Sequence, residues 1–220
     1  MNMTSLPTLV VIDDHPMIRT ALVDTLRSRF PTIQLHPFPD AESGMDFLRS
    51  QLPSSTAESW LVLMDLGLPG LGGLEAIRHV LSLSESLTLI TVSGNDDDLQ
   101  VSACLGSGSF AFISKAAPFD DTMEVISQAI HGTLQKGTWL SARGIDDASR
   151  LARITLTDRQ IQVLAMICQG SSNRDIADKL GITEITAKSH VGSIFRSLGV
   201  ASRTQAVLVA QRLGLSTNNT

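Results

Sequence analysis

The chain has 220 residues, of which 43% are hydrophobic and 18% charged, with a net charge of −5 at pH 7. This length suits one or two domains, and the composition is that of an ordinary globular protein rather than a disordered one. The sequence has no uninterrupted apolar run of about 18 residues and no secretory signal, so we expect a cytoplasmic protein without a membrane partner. Cys104 and Cys168 lack metal-type spacing and are expected to be reduced.

The charge is unevenly distributed along the chain. Residues 1–147 carry eight Lys/Arg and 18 Asp/Glu, a net of −10, whereas residues 148–220 carry nine and four, a net of +5. A basic C-terminal region after an acidic N-terminal region indicates that the C-terminal region binds nucleic acid, although two globular domains can also differ in charge by chance.

The first 131 residues alternate strand and helix signals. Apolar runs predict strands at 8–12, 33–38, 60–65, 87–93 and 110–114. Helix signals follow them at Pro16, Asp40–Leu52, Leu74–Leu81, Asp97–Leu105 and Phe119–His131. This alternation predicts an α/β fold with a flavodoxin-like, doubly wound, five-stranded parallel sheet of strand order 2-1-3-4-5.

Polar residues follow four of the five predicted strands. Asp13 and Asp14 follow the first strand, Asp65 ends the third, Ser93 ends the fourth and Lys115 follows the fifth. Because ligands bind outside the carboxyl ends of parallel strands, we expect these side chains to share one pocket. Three carboxylates repel one another unless a cation joins them, and oxygen donors favour a hard cation such as Mg²⁺. No His or Cys is expected in this pocket, which argues against a hydrolase triad.

Residues 8–131 resemble the receiver domain of two-component response regulators. The resemblance rests on the acid pair Asp13-Asp14, on Asp65 in "LVLMDLGLPG", on Ser93 in "TVSG" and on Lys115 in "FISK". It implies that Asp65 accepts a phosphoryl group from a sensor histidine kinase and that the protein is not an enzyme. It also implies that Mg²⁺ is bound by Asp14 directly, by Asp13 through water, by Asp65 and by the Gly67 carbonyl.

The resemblance further implies a switch that reads the phosphoryl group. Ser93 and Lys115 would bind the group, and Phe112 would be the coupled aromatic residue. Two positions depart from the usual pattern: Ala116 follows the lysine where proline is common, and Phe112 replaces a tyrosine. We therefore assign residues 1–131 to the receiver.

Residues 132–153 are predicted to be a linker, because they contain three glycines, polar residues and Asp146-Asp147. Within this segment we expect Trp139-Leu140 to pack back on a domain.

Residues 154–220 are predicted to form a small helical domain. Thr157 and Gln160 have the spacing of a capping box, and helices are predicted to end at Gly170, Gly181 and Gly199. A short helix, a tight turn and a longer polar-faced helix indicate a helix-turn-helix, whose second helix enters the major groove of double-stranded DNA.

This region resembles the LuxR-type DNA-binding domain of the NarL/FixJ group. The phrases that carry the resemblance are "LTDRQIQVL", "GSSNRDIADKLGIT", "TAKSHVGSIFRSLGV" and "SRTQAV". Helical spacing predicts a core-facing stripe of Ala187, Val191, Ile194 and Leu198. The outward face then presents Ile185, Lys188, Ser189, Gly192 and Arg196, with Thr183 and Thr186 suited to phosphate oxygens.

Other features of this region bear on specificity and assembly. Ile185 stands where a polar residue is usual, and Gly192 stands where a base-reading side chain is common, which favours phosphate contacts over direct readout. His190 lies beside the core stripe, and we favour a structural role for it over a DNA contact. The fourth helix, Ser202–Leu213, is the expected contact of an active homodimer.

Two other functions remain open at the level of sequence. One is an aspartyl-phosphate hydrolase, although Gly67 stands where such enzymes place an acid. The other is a receiver that serves only for dimerisation and is never phosphorylated, which the complete acidic pocket argues against.

Overall fold

A computed structural model of the protein describes residues 6–52, 59–70, 72–147 and 156–212. The strands are β1 (Thr8–Ile12), β2 (Leu35–Phe38), β3 (Trp60–Asp65), β4 (Leu87–Ser93), β5 (Ala111–Ser114), β6 (Thr138–Ser141) and β7 (Gly144–Asp147). The helices are α1 (Pro16–Arg29), α2 (Ala41–Gln51), α3 (Gly73–Leu81), α4 (Asp98–Gly106), α5 (Phe119–Ile130), α6 (Asp158–Cys168), α7 (Asn173–Leu180), α8 (Glu184–Leu198) and α9 (Arg203–Arg212).

The sheet has the order β2-β1-β3-β4-β5-β6-β7. The predicted order 2-1-3-4-5 is confirmed, and all five of these strands are parallel. Every residue of β1 and β3 is buried, as expected for strands covered by helices on both faces. Alternate residues face opposite layers, so Val10 and Val62 belong to one apolar cluster and Leu9 and Leu61 to the other.

The predicted helix starts are largely confirmed. The Asp40 carboxylate accepts a hydrogen bond from Ser43 N at 2.7 Å, and that of Asp97 accepts one from Gln100 N at 2.8 Å. These bonds satisfy amides that the first turn of a helix leaves free. The bond to Ser43 also lowers the pKa of Asp40.

The segment predicted as a linker contains a β-hairpin. Strand β6 pairs in parallel with β5, and β7 returns antiparallel to β6, so the sheet has seven strands rather than five. Leu140 is fully buried, and Trp139 packs against the cluster that contains Phe112. The expected packing of Trp139-Leu140 on a domain is therefore confirmed, and the hairpin makes β5 an interior strand.

Helices α6 to α9 form the second domain. The capping box of Thr157 and Gln160 is present in α6. Gly181 and Gly199 end α7 and α8 with φ of 63° and 65°, the left-handed conformation that suits glycine. Helix α9 is capped by Ser202, whose hydroxyl accepts a hydrogen bond from Gln205 N at 3.2 Å.

The two domains contact each other in this structure. The Arg78 guanidinium of α3 donates to the Asp158 carboxylate and to the Leu156 carbonyl at the start of α6. Apolar residues of α6–α9 belong to the same continuous cluster as residues on the α3 side of the sheet. Across the described ranges, none of the helices has the length and apolar character needed to span a membrane.

Candidate functional site

Three carboxylates meet at the carboxyl edge of the sheet, as the sequence predicted. Strands β1 and β3 are neighbours, with Ile12 opposite Met64, so the residues that follow lie side by side. Asp13 and Asp65 are only 5% and 4% exposed, whereas Asp14 is partly exposed. Burial of two acids this close together requires a positive charge nearby.

Lys115 supplies that charge. Its Nζ lies 2.7 Å from Asp65 Oδ2 and 3.0 Å from Asp13 Oδ2. Burial alone would lower the pKa of Lys115, but the hydrogen bonds and charges of Asp65 and Asp13 outweigh it and raise the pKa. The backbone fixes this position, because Lys115 N donates to Ser93 O at 2.7 Å.

Ser93 lies in the same pocket and is 4% exposed. Its hydroxyl accepts hydrogen bonds from Asn95 N at 3.2 Å and from Gln100 Nε2 at 3.3 Å. Gln100, in the first turn of α4, is also 4% exposed, and its Oε1 has no hydrogen-bond partner among the described residues. The sequence analysis missed Gln100, since a lone glutamine in a helix gives no signal.

The loop after β3 lies against the Asp65 carboxylate, and its backbone at Gly72 leaves no room for a side chain. Gly67 N donates to Asp65 Oδ1 at 3.1 Å, and a Cβ on Gly67 would lie 3.7 Å from that oxygen. A Cβ on Gly72 would lie 2.5 Å from the Leu68 carbonyl oxygen, which is closer than real contacts allow. Gly72 therefore fits a tight return of the chain after β3.

The expectation that no histidine reaches this pocket is wrong. His15 Nδ1 lies 2.8 Å from Asp14 Oδ1, 3.3 Å from Asp13 Oδ1 and 3.6 Å from Asp65 Oδ2. In the sequence, His15 stands next to Pro16 at the predicted start of the first helix. The helix does begin at Pro16, but His15 is its N-cap residue and does not cap it with its side chain. The side chain lies against the acids instead.

Phe112 is fully buried in β5. Its neighbours across the sheet are Thr91 of β4 and Trp139 of β6. Strands therefore enclose Phe112 on both sides, and Lys115 directly follows the strand that contains it.

A cavity of about 360 Å³ opens beside the carboxylates. Its lining includes Asp65, Ser93, Lys115 and His15 from the receiver side, together with Gln211 from α9. The last described helix, α9, therefore reaches the rim of the pocket that contains Asp65, Ser93 and Lys115.

The predicted DNA-reading helix is α8. Its core stripe of Ala187, Val191, Ile194 and Leu198 is buried, as predicted. The outward residues Thr183, Thr186, Lys188, Ser189 and Arg196 are exposed, Ile185 is 83% exposed and Gly192 is partly exposed. His190 is partly buried beside the stripe. The Thr183 and Thr186 hydroxyls lie 2.8 Å apart, and Thr183 caps the helix.

Comparison with known proteins agrees with both halves of this description. Residues 9–127 match the family "Response regulator receiver domain", and residues 154–210 match "Bacterial regulatory proteins, luxR family". The chain is 31% identical to the nitrate/nitrite response regulator NarL of Escherichia coli, covering 91% of this chain and 93% of that one. It is 30% identical to the transcriptional regulatory protein LiaR of Bacillus subtilis, covering 93% and 96%.

Solved structures share the fold. RcsB from Salmonella enterica, bound to the promoter rprA in the presence of phosphomimetic BeF₃⁻, is 21% identical with a TM-score of 0.60, covering 94% of this chain and 99% of that one. A structure of two RcsB dimers bound to two parallel DNAs has a TM-score of 0.57 at 21% identity, covering 95% and 100%.

The fold and the matched families define the class: the protein is a DNA-binding regulator of transcription. More specifically, the chain belongs to the two-component response regulators, with a receiver domain followed by a LuxR-type helix-turn-helix domain.

Proposed function

We propose that Asp65 is the phosphoacceptor of this regulator and that its phosphorylation controls dimerisation and DNA binding. The observation that carries the proposal is the buried Asp65 carboxylate beside Asp13 and Lys115, open to a cavity of about 360 Å³. An Asp65 oxygen attacks the phosphorus of a phosphohistidine on a sensor histidine kinase. The P–N bond breaks as the P–O bond forms, and the imidazole leaves.

The residues present fit a divalent cation. One oxygen of Asp14, Oδ1, is buried and has no hydrogen-bond partner among the described residues. Ligand atoms of Asp13, Asp14, His15 and Asp65 all lie within 4.8 Å of one another. Mg²⁺ would be held by Asp14, by Asp65, by the Gly67 carbonyl and, through water, by Asp13. When bound, the ion neutralises the charge that the carboxylates and phosphoryl oxygens would otherwise bring together.

The phosphoryl group would be read by Lys115 and Ser93. Phosphorylation adds roughly −1.5 to −2 charge, and a lysine ammonium and a serine hydroxyl are donors for its oxygens. To donate, the Ser93 hydroxyl must turn from Asn95 and Gln100 towards Asp65. This change releases Gln100 and with it the first turn of α4, and Phe112 in the next strand would follow.

The exposed face of α8 would contact DNA. Lys188 and Arg196 carry the positive charge of this face, and Ser189 and the threonines of the first turn add hydroxyls for phosphate oxygens. Gly192 offers close approach rather than a side-chain contact. Phosphate contacts through Lys and Arg make the binding salt-dependent.

Inhibition of the resting protein would act through α9 rather than α8. The outward face of α8 is exposed in the intact chain, so the receiver does not cover it. Gln211 of α9, by contrast, lines the cavity beside Asp65. Because α9 is the expected dimer contact, a receiver that holds it keeps the chain monomeric. The DNA-bound RcsB dimers support the dimer as the active form.

A phosphotransfer assay tests this proposal. The full-length protein is incubated with acetyl phosphate and Mg²⁺, and its mass is followed for the gain of one phosphoryl group. We expect stable modification of the parent and none of Asp65→Asn. Asp14→Asn should lose both Mg²⁺ affinity and modification. Modification of Asp65→Asn would overturn the assignment, and continuous release of inorganic phosphate by the parent would favour the hydrolase.

A further inference from the structure

Asp13, Asp14, His15 and Asp65 form one cluster of potential metal ligands, and the proposed function gives no role to His15. It stands between the acid pair and Pro16, at the N-cap position of α1. Its backbone N–H donates to Asp13 Oδ1 at 2.8 Å, which anchors the residue to the site. The imidazole is 58% exposed as a side chain, yet its Nδ1 faces the carboxylates rather than solvent alone.

The contact between His15 and Asp14 has the distance of an ion pair and also that of two ligands of one metal ion. Nδ1 lies 2.8 Å from Asp14 Oδ1, but that oxygen has no hydrogen-bond partner among the described residues. Neighbouring ligands of an octahedral ion with bonds of 2.0–2.1 Å are about 3 Å apart, so this spacing matches an edge of a metal coordination shell.

The other two carboxylates of the cluster also lie close to His15 Nδ1. Nδ1 is 3.3 Å from Asp13 Oδ1 and 3.6 Å from Asp65 Oδ2, so one nitrogen faces three carboxylates. Lys115 Nζ lies 3.5 Å from Nδ1 and bridges two of these acids. A phosphoryl group on Asp65 would draw this ammonium towards its oxygens and leave the nitrogen and carboxylates to the cation.

We propose that His15 is an additional protein ligand of the divalent cation and shifts the site from Mg²⁺ towards transition metals. Imidazole nitrogen binds Mn²⁺, Co²⁺ and Ni²⁺ increasingly well in that order, whereas Mg²⁺ prefers oxygen ligands and retains its waters. A site of carboxylates alone would discriminate less between these ions. The proposal rests on the metal site of the proposed function and adds a specificity-determining residue to it.

Metal titration of the full-length protein tests the assignment. Mg²⁺, Mn²⁺ and Ni²⁺ are each titrated at one fixed pH, with heat or tryptophan fluorescence as the readout. We expect His15→Gln and His15→Ala to lose roughly tenfold or more in affinity for Ni²⁺, and less for Mn²⁺, with Mg²⁺ affinity changed less than threefold. His79→Gln, at an exposed histidine of α3 outside the cluster, is the matched control and should retain the parent's affinities.

A spectroscopic measurement distinguishes the loss of a metal ligand from a loss of affinity caused by misfolding. Pulsed electron paramagnetic resonance of the Mn²⁺-loaded parent should show coupling to a directly bound imidazole nitrogen, which is absent in His15→Gln and retained in His79→Gln. Bound Mn²⁺ without this coupling, or an unchanged Ni²⁺/Mg²⁺ affinity ratio in both His15 variants, would overturn the role of His15. If Asp14→Asn binds every cation as the parent does, the metal site of the proposed function is wrong as well.

Discussion

At the scale of single residues, the pocket around Asp65 contains buried charges that are paired and one buried polar group that is not. Lys115 offsets Asp13 and Asp65, and its raised pKa shows that attraction outweighs desolvation. The Ser93–Gln100 contact is less well satisfied, because Gln100 Oε1 is buried without a described partner. The hydrogen bond from Gln100 Nε2 to the Ser93 hydroxyl, about 1 kcal/mol, is broken when that hydroxyl turns towards Asp65.

We therefore predict that Gln100→Leu partly activates the protein. Leucine keeps the buried volume but removes the donor that holds the Ser93 hydroxyl. Loss of a hydrogen bond of about 1 kcal/mol corresponds to roughly a fivefold rise in the DNA affinity of the unphosphorylated protein. Gel-shift titration measures this. Ser93→Ala is the comparison: it should accept phosphate but gain little DNA affinity from it. If unphosphorylated Gln100→Leu binds DNA no more tightly than the parent, Gln100 does not hold Ser93 in its resting position.

Lys188 is the best candidate for a DNA contact on α8. Lys188→Ala should weaken binding and lower the slope of log affinity against log salt by about 1 if the ammonium meets a phosphate. If it meets a base edge, sequence preference at one position should relax instead. Titrations at two salt concentrations distinguish these results, with Lys179→Ala of α7 as a control. No loss of binding in Lys188→Ala would mean that another face of α8 contacts DNA.

At the scale of elements, long apolar runs were predicted more accurately than short edge strands. Strands β1, β3 and β4 have the predicted bounds, because each is an apolar run buried in the sheet interior. Strand β6 was missed: "TWLS" is four residues long and lies among glycines, and its partner β5 is more than 20 residues away. Pairing with a distant strand, rather than local pattern, determines such an element.

The acceptor residues were predictable for the same reason. Each follows a recognisable strand, and parallel strands bring their carboxyl ends together. His15 and Gln100 were not predicted, since their positions depend on the direction of a helix start and on the packing of α4. Neither property is visible in spacing.

We predict that the β6–β7 hairpin stabilises the receiver through Trp139. Trp139→Ala should lower the free energy of unfolding by about 2 kcal/mol, less than the 3–5 kcal/mol typical of a fully buried aromatic residue, because Trp139 is partly exposed. Ile145→Ala in the same hairpin is the control, since Ile145 is 64% exposed and should cost under about 0.5 kcal/mol. Urea unfolding measures both. Equal losses would show that the hairpin contributes no specific packing.

At the scale of the whole molecule, the receiver and the DNA-binding domain are joined by a polar contact and by apolar packing. Arg78 reaches both the Asp158 carboxylate and the Leu156 carbonyl. Gln211 of α9 also lies at the cavity beside Asp65. A negative phosphoryl group in this cavity would change the contact between the cavity rim and α9. The Arg78 contact at the start of α6 would still connect the two domains.

Arg78→Ala should therefore loosen the closed arrangement. We expect a larger radius of gyration by small-angle X-ray scattering and a severalfold higher DNA affinity without phosphate. Arg49→Ala is a matched control, because Arg49 pairs with no described residue other than Asp46, on the exposed surface of α2. If Arg78→Ala is as compact as the parent and binds DNA no better, this contact does not restrain the second domain.

The DNA affinity of the full-length protein, with and without phosphate on Asp65, tests the central claim most directly. Gel-shift titrations would compare the parent, the phosphorylated parent, Asp65→Asn treated with the same phosphodonor, and the isolated residues 150–220. We expect the isolated domain and the phosphorylated parent to bind more tightly than the untreated parent and Asp65→Asn, and the phosphorylated parent to bind as a dimer on half-sites about one helical turn apart. Equal affinity of all four forms would contradict control of DNA binding by the receiver.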